Sequence, residues 1–125
     1  MFATLLQVMI GGGVGAGLRF GWGLWIARVV GPGFPLPILT ANVLGSFLMG
    51  VFAVAAAQRG LWHLGPLIQA GLLGGFTTFS SFSLEAVTLM QRGEISQAVF
   101  YILLSVGASI GGLFMGMMLA RGLFA

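Results

Sequence analysis

The sequence contains no cysteine, no lysine and no aspartate, and it carries few charges of any kind. Among its 125 residues five are basic and two are acidic, a share of 6%, whereas roughly a quarter of an average soluble chain is charged. With 58% hydrophobic residues and a mean hydropathy of +1.09, the chain cannot cover a globule with a polar surface. The missing charges therefore exclude a soluble fold, and the missing cysteines exclude disulfides and thiolate metal sites.

The charges that are present also exclude two classes of function. The net charge of +3 comes from five scattered arginines, and without a basic patch nucleic-acid binding is not expected. One histidine, His63, and two glutamates cannot supply a nucleophile, a base and an acid in one place. We therefore predict that the chain is not an enzyme.

Charge-free runs divide the sequence into four parts. Each run is near or above the roughly 18 to 20 residues that a helix needs to cross the hydrocarbon core; the runs are 1–18, 29–58, 60–84 and 95–120. We predict an all-α membrane protein in which residues 1–125 form a single four-helix transmembrane domain. The predicted spans lie near 3–28, 37–57, 66–91 and 95–121.

The arginines at the ends of these spans are balanced across the membrane. With four spans, Arg59 and Arg121 fall on one side, and Arg28 and Arg92 fall on the other. An excess of Lys and Arg on one side normally sets orientation, so a balanced chain is a candidate for insertion in both orientations, which would allow an antiparallel, dual-topology dimer. The alternative is a single orientation set by cues other than the arginine count.

The third predicted span contains a segment that is a poor helix former. Residues 74–83 read Gly-Gly-Phe-Thr-Thr-Phe-Ser-Ser-Phe-Ser, with two glycines, five hydroxyl side chains and no aliphatic side chain. We predict a helix break here, near the midplane, where freed backbone groups are ready ion ligands. The alternative is a continuous helix whose hydroxyls bond back to its own carbonyls.

Polar and aromatic side chains within the spans are candidates for lining an ion pathway. Phe79 and Phe82 lie three residues apart, and the positive edge of a phenyl ring can face an anion. Asn42 lies within the second span, where its amide is either an interhelical clamp or part of a pathway. In the fourth span, polar side chains recur every four residues and share one helix face; they are Tyr101, Ser105 and Ser109, with Leu113 at the end of the row. They form either a polar track or hydrogen bonds between helices.

Two charged residues lie inside the predicted spans. Arg19 is in the first span and Glu85 is in the third. If these two helices run parallel, both side chains lie toward the same membrane face, which predicts an Arg19–Glu85 pair or a shared vestibule.

Glycine is abundant, with 22 residues, and it recurs four residues apart at Gly11/Gly15 and at Gly71/Gly75, among other pairs. Such spacing allows helix backbones to approach closely. It predicts tight helix packing and leaves room only for a narrow pathway or one at a subunit interface.

Taken together, these motifs resemble the Fluc (CrcB) family of fluoride channels over essentially the whole chain. The resemblance is carried by the run 74–83 with Glu85, by Asn42-x-x-Gly45, by Arg19, and by the row of Tyr101, Ser105 and Ser109. It implies an antiparallel homodimer with two pores at its interface, which exports fluoride passively across the bacterial inner membrane and lowers cytoplasmic fluoride. It further implies that Phe79, Phe82, Asn42, Tyr101, Ser105 and Ser109 line the pore.

The resemblance also implies a structural sodium ion on the dimer axis. The main-chain carbonyls of Gly74 and Thr77 from both subunits would hold it, which suits the preference of a hard cation for oxygen ligands. One departure from the family pattern is Leu113, which stands where several relatives are expected to have a threonine.

Two other classes of membrane protein share parts of this pattern. The size, the four spans and the balanced arginines are also similar to those of proton-coupled small multidrug exporters, which need a carboxylate in the first span. That span contains Arg19 and no carboxylate. A purely structural membrane subunit would explain the glycines but not the poor helix former in the third span.

Overall fold

The computed structural model describes residues 1–124, and every regular element in this range is helical. Ala125, the last residue of the predicted domain, lies outside the described residues. The elements in chain order are α1 (Phe2–Val30), α2 (Leu36–Arg59), a 3₁₀ turn (Trp62–Leu64), a π-helix (Pro66–Leu73), α3 (Gly74–Phe76), α4 (Phe79–Gln91) and α5 (Ile95–Phe124).

The three unbroken long helices, α1, α2 and α5, are long and apolar enough to cross a membrane. Their ends lie within three residues of the predicted limits. The third span covers 66–91 as predicted, but it is built from two halves. The first half is the π-helix with α3, and the second half is α4. Within residues 1–124 the chain thus has the four predicted spans, with the third broken.

Close glycine packing holds α1 against the first half of the third span. A Cβ on Gly11 would overlap the Leu67 carbonyl oxygen, and a Cβ on Gly15 would overlap that of Leu72. From the other side, a Cβ on Gly75 would lie 2.5 Å from the Gly12 carbonyl oxygen. Since backbone touches backbone here, the predicted role of these glycines in helix packing is confirmed.

A second glycine contact joins α2 to α5. A Cβ on Gly50 would overlap the Leu113 carbonyl oxygen, and a Cβ on Gly116 would overlap that of Phe47. These two helices make the most extensive contact of the fold. The fold therefore consists of two pairs, α1 with the first half of the third span and α2 with α5, and α4 packs against α5.

Aromatic contacts establish which helix ends lie together. The Arg59 guanidinium stacks over the Phe124 ring at 5.4 Å, so α2 and α5 finish at the same end of the bundle. At the other end the Phe34 ring, in the first connection, lies 5.5 Å from the Tyr101 ring of α5. Because the two helices run parallel, the arginines of the two ends are separated as the sequence predicts.

Candidate functional site: a groove at the break of the third span

The break in the third span consists of two extended residues. Thr77 has φ −89° and ψ 156°, and Thr78 has φ −152° and ψ 123°, so both leave the helical region between α3 and α4. The Thr78 hydroxyl accepts a hydrogen bond from the Ser81 amide at 3.2 Å and caps the new helix. The predicted break is therefore confirmed, and the continuous Ser/Thr-rich helix is excluded.

The side chain of Asn42 fastens the break to α2. Its Nδ2 donates to the Thr78 carbonyl at 3.0 Å, and its Oδ1 accepts from the Thr78 amide at 2.7 Å. The two bonds replace those that Thr78 would make in a continuous helix. The interhelical clamp, one of the two roles considered for Asn42, is therefore observed. The second hydrogen on Nδ2 is left as a donor on the same side of α2.

The break leaves carbonyl oxygens without their helical partners. In a continuous helix the Thr78 amide would bond to the Gly74 carbonyl, but it bonds to Asn42 instead. Likewise the Ser81 amide, the helical partner of the Thr77 carbonyl, bonds to the Thr78 hydroxyl. The carbonyls of Gly74 and Thr77, which the resemblance assigns to sodium, are thus among those that lose their helical amide partners at the break.

A groove of about 390 Å³ opens beside the break, between α2, α4 and α5. Five of the six predicted pore residues line it, and no charged side chain does so in the described part of the chain. The five are Asn42, Phe79, Phe82, Ser105 and Ser109.

The sixth predicted pore residue, Tyr101, reaches the groove through an aromatic chain. Its ring lies 5.3 Å from the ring of Phe82, which in turn lies 5.4 Å from that of Phe79. Tyr101 is fully buried and Phe82 is 8% exposed, whereas Phe79 is 76% exposed. The three rings thus lead from the core of the subunit to its surface.

The hydroxyl groups of the spans differ in whether they have a hydrogen-bond partner. Those of Thr40, Ser83 and Thr88 donate to carbonyls one turn earlier in their own helices, at 2.7 to 2.9 Å. The hydroxyls of Tyr101 and Ser105 are buried and have no hydrogen-bond partner among residues 1–124. Buried hydroxyls normally find a partner, so these two stand out among the hydroxyls of the described chain.

Several groove residues were not among the predicted site residues. Ser46 and Met49, both on α2, line the groove together with Asn42. The signal for Ser46 was present in the sequence, because it lies four residues after Asn42 and therefore shares its helix face. Leu113 also lines the groove, at the end of the α5 row.

The predicted ion pair between Arg19 and Glu85 does not form within the subunit. Arg19 lies on α1, which packs on the first half of the third span, whereas Glu85 lies on α4, which packs on α5. Both side chains are half-buried. The two side chains thus lie on helices that pack against different partners. A vestibule shared by Arg19 and Glu85 stays a prediction.

Fold and groove together define a helical membrane protein with an uncharged groove beside a broken span. A family model described as CrcB-like protein, Camphor Resistance (CrcB), matches residues 6–117. The chain belongs to this family.

Similar curated proteins are named Fluoride-specific ion channel FluC. The one from Jannaschia sp. (strain CCS1) is 71% identical over 96 residues, covering 77% of this chain and 91% of that protein. The one from Ruegeria sp. (strain TM1040) is 55% identical over 98% of both chains. That from Cereibacter sphaeroides (strain ATCC 17029 / ATH 2.4.9) is 48% identical over the full length of both. The family resemblance seen in the sequence is thereby confirmed.

Proposed function

We propose that this chain is a fluoride channel that lets fluoride leave a bacterial cell passively across the inner membrane. The observation that carries the proposal is the groove, which offers the unpartnered hydroxyl of Ser105, further hydroxyls and ring edges but no charged side chain. The names of the relatives support fluoride as the ion, and they are names of channels, in accord with the prediction that the chain is not an enzyme.

Fluoride is small and strongly hydrated, so a narrow path must replace its water with other donors. The Ser105 and Ser109 hydroxyls, the Tyr101 hydroxyl and the free Nδ2 hydrogen of Asn42 are donors of the required kind. The edges of the Phe79 and Phe82 rings add a weaker attraction. Because no arginine lines the groove, the ion is attracted without being trapped, which conduction requires.

We infer that the working unit is an antiparallel homodimer. The balanced arginines support insertion in both orientations. Phe79, a groove residue, is 76% exposed in the single subunit, and a partner subunit would cover it and complete the passage. Reporter fusions at the C-terminus are expected to be detected on both sides of the membrane; detection on one side alone would exclude this arrangement.

The freed carbonyls of Gly74 and Thr77 fit a sodium ion shared by two subunits. One subunit contributes two oxygens, so a symmetric dimer would contribute four, a set that suits a hard cation. Bound there, sodium would supply positive charge that makes the dry interior more favourable for an anion. A dimer that assembles and conducts equally well after complete replacement of sodium by a large organic cation would contradict this assignment.

Fluoride efflux from liposomes tests the function directly. Purified protein is expected to release fluoride when the potential is relieved by a potassium ionophore, and to release little chloride under the same gradient. A fluoride electrode outside the vesicles measures the rate. No flux above that of empty vesicles, or equal chloride flux, would overturn the proposal.

The matched control in this assay is the double variant Phe79→Ile/Phe82→Ile. It keeps apolar bulk at both positions but has no ring edges to face an anion. Fluoride flux well below that of the original protein, with the dimer retained, is the expected outcome. Unchanged flux would remove the rings from the pathway.

A proton-coupled exporter of the small multidrug type is the alternative that the sequence left open. Such a transporter needs a titratable carboxylate facing its substrate, and neither Glu85 nor Glu94 lines the groove at the break. The groove therefore favours the channel over the exporter.

A further inference from the structure

The row of donors on α5 stops before the groove does. Ser105 and Ser109 present hydroxyls one turn apart, but the next position in the row is Leu113, whose side chain cannot bind an anion. An ion that passes Ser109 therefore meets no donor from α5 at the following turn.

The opposite wall of the groove provides a hydroxyl at that level. A Cβ on Gly112 would lie 3.4 Å from the Val43 carbonyl oxygen and 4.0 Å from the Phe47 Cβ. Gly112 of α5 therefore lies level with residues 43–47 of α2. Ser46 belongs to this stretch and lines the groove, so it lies at about the depth of Leu113.

The Ser46 hydroxyl is available to a passing ion. Hydroxyls such as those of Thr40 and Thr88 are tied to carbonyls of their own helices, but no such bond holds Ser46 in the part of the chain that the structure describes. The side chain shares the face of α2 that carries Asn42, four residues earlier. It is half-buried and faces the groove.

We propose that Ser46 is a further fluoride-binding residue, which takes over from Ser109 where the α5 row is interrupted by Leu113. The proposal rests on the proposed fluoride channel function. In this pathway fluoride passes from α5 to α2, because each helix presents a hydroxyl where the other has none.

Replacement of Ser46 by alanine tests the proposal. Loss of one hydroxyl donor to a charged species is expected to reduce fluoride flux in liposomes by about tenfold. Oligomeric state and thermal unfolding in detergent should be unchanged, because alanine favours a helix and fills the same space. Thr88→Ala is the control, since its hydroxyl serves its own helix outside the groove, and its flux should equal that of the original protein.

A second variant distinguishes a binding role from a structural one. Adding Leu113→Ser to Ser46→Ala places a hydroxyl at the same depth on the facing helix, and most of the lost flux should return. Unchanged flux in Ser46→Ala, or no recovery in the double variant, would overturn the proposal. If the original protein itself releases no fluoride, the channel function fails instead, so the two failures are distinguishable.

Discussion

Replacing Asn42 by alanine is expected to abolish fluoride flux and to lower the stability of the subunit by roughly 2 kcal/mol or more. The amide makes both hydrogen bonds to the Thr78 backbone, at 2.7 and 3.0 Å. Without it, a backbone N–H and a carbonyl at the break lose their partners in a medium with no water to replace them. Thermal unfolding in detergent measures the stability, and efflux from liposomes measures the flux.

The variant Asn42→Asp changes both the clamp and the charge of the pathway. It keeps the oxygen that accepts from the Thr78 amide but replaces the donor to the Thr78 carbonyl with a group that repels it. Its carboxylate would also repel an anion in the groove. Both variants should lose flux, and either one with the original flux and stability would show that Asn42 does not hold the break.

Replacing Gly15 by alanine is expected to destabilise the subunit by at least about 2 kcal/mol and to reduce flux with it. The added Cβ would overlap the Leu72 carbonyl oxygen and lie 2.9 Å from the Phe76 amide. Both neighbours are backbone atoms, so the contact is relieved only by moving α1 away from the first half of the third span. That movement displaces α3 and with it the break. Thermal unfolding and fluoride efflux provide the measurements.

Gly13→Ala is the matched control, because it makes the same change in the same helix two residues earlier. Apart from the neighbouring backbone of α1, no atom of the described chain lies within 4 Å of a Cβ at Gly13. Since alanine also favours a helix over glycine, the unfolding temperature should not fall. Equal unfolding temperatures for Gly13→Ala and Gly15→Ala would contradict the packing that the structure describes for α1.

Local composition was sufficient to predict the position of the break. Residues 74–83 lack aliphatic side chains and are rich in Gly, Ser and Thr, and the chain leaves the helix at Thr77 and Thr78, within that run. Helix propensity is a property of short segments, which is why one sequence could reveal it. The same reasoning could not predict the π-helix of Pro66–Leu73, since its wider turns occur where Gly71 packs against Gly11 of a distant segment.

The roles of the polar residues depended on contacts across the fold. Nothing in the sequence near Asn42 indicates that its amide bonds to Thr78, which is 36 residues away. The pair of Arg19 and Glu85 was inferred from two spans taken as parallel, and no such ion pair forms in the described chain, where α4 packs on α5.

By itself the sequence determined that the chain is a helical membrane protein, where its spans lie, where the third span breaks and which family it resembles. These properties follow from hydrophobic length, charge count and local helix propensity, each of which is read along the chain. Only the tertiary structure decided that the carbonyls of Gly74 and Thr77 lose their helical amide partners. It also decided which hydroxyls line the groove without a hydrogen bond to their own helix. It also brought Ser46 of α2 and Leu113 of α5 to the same groove. These depend on how glycine contacts set the depth of one helix against another, and that depth is not encoded in any single segment.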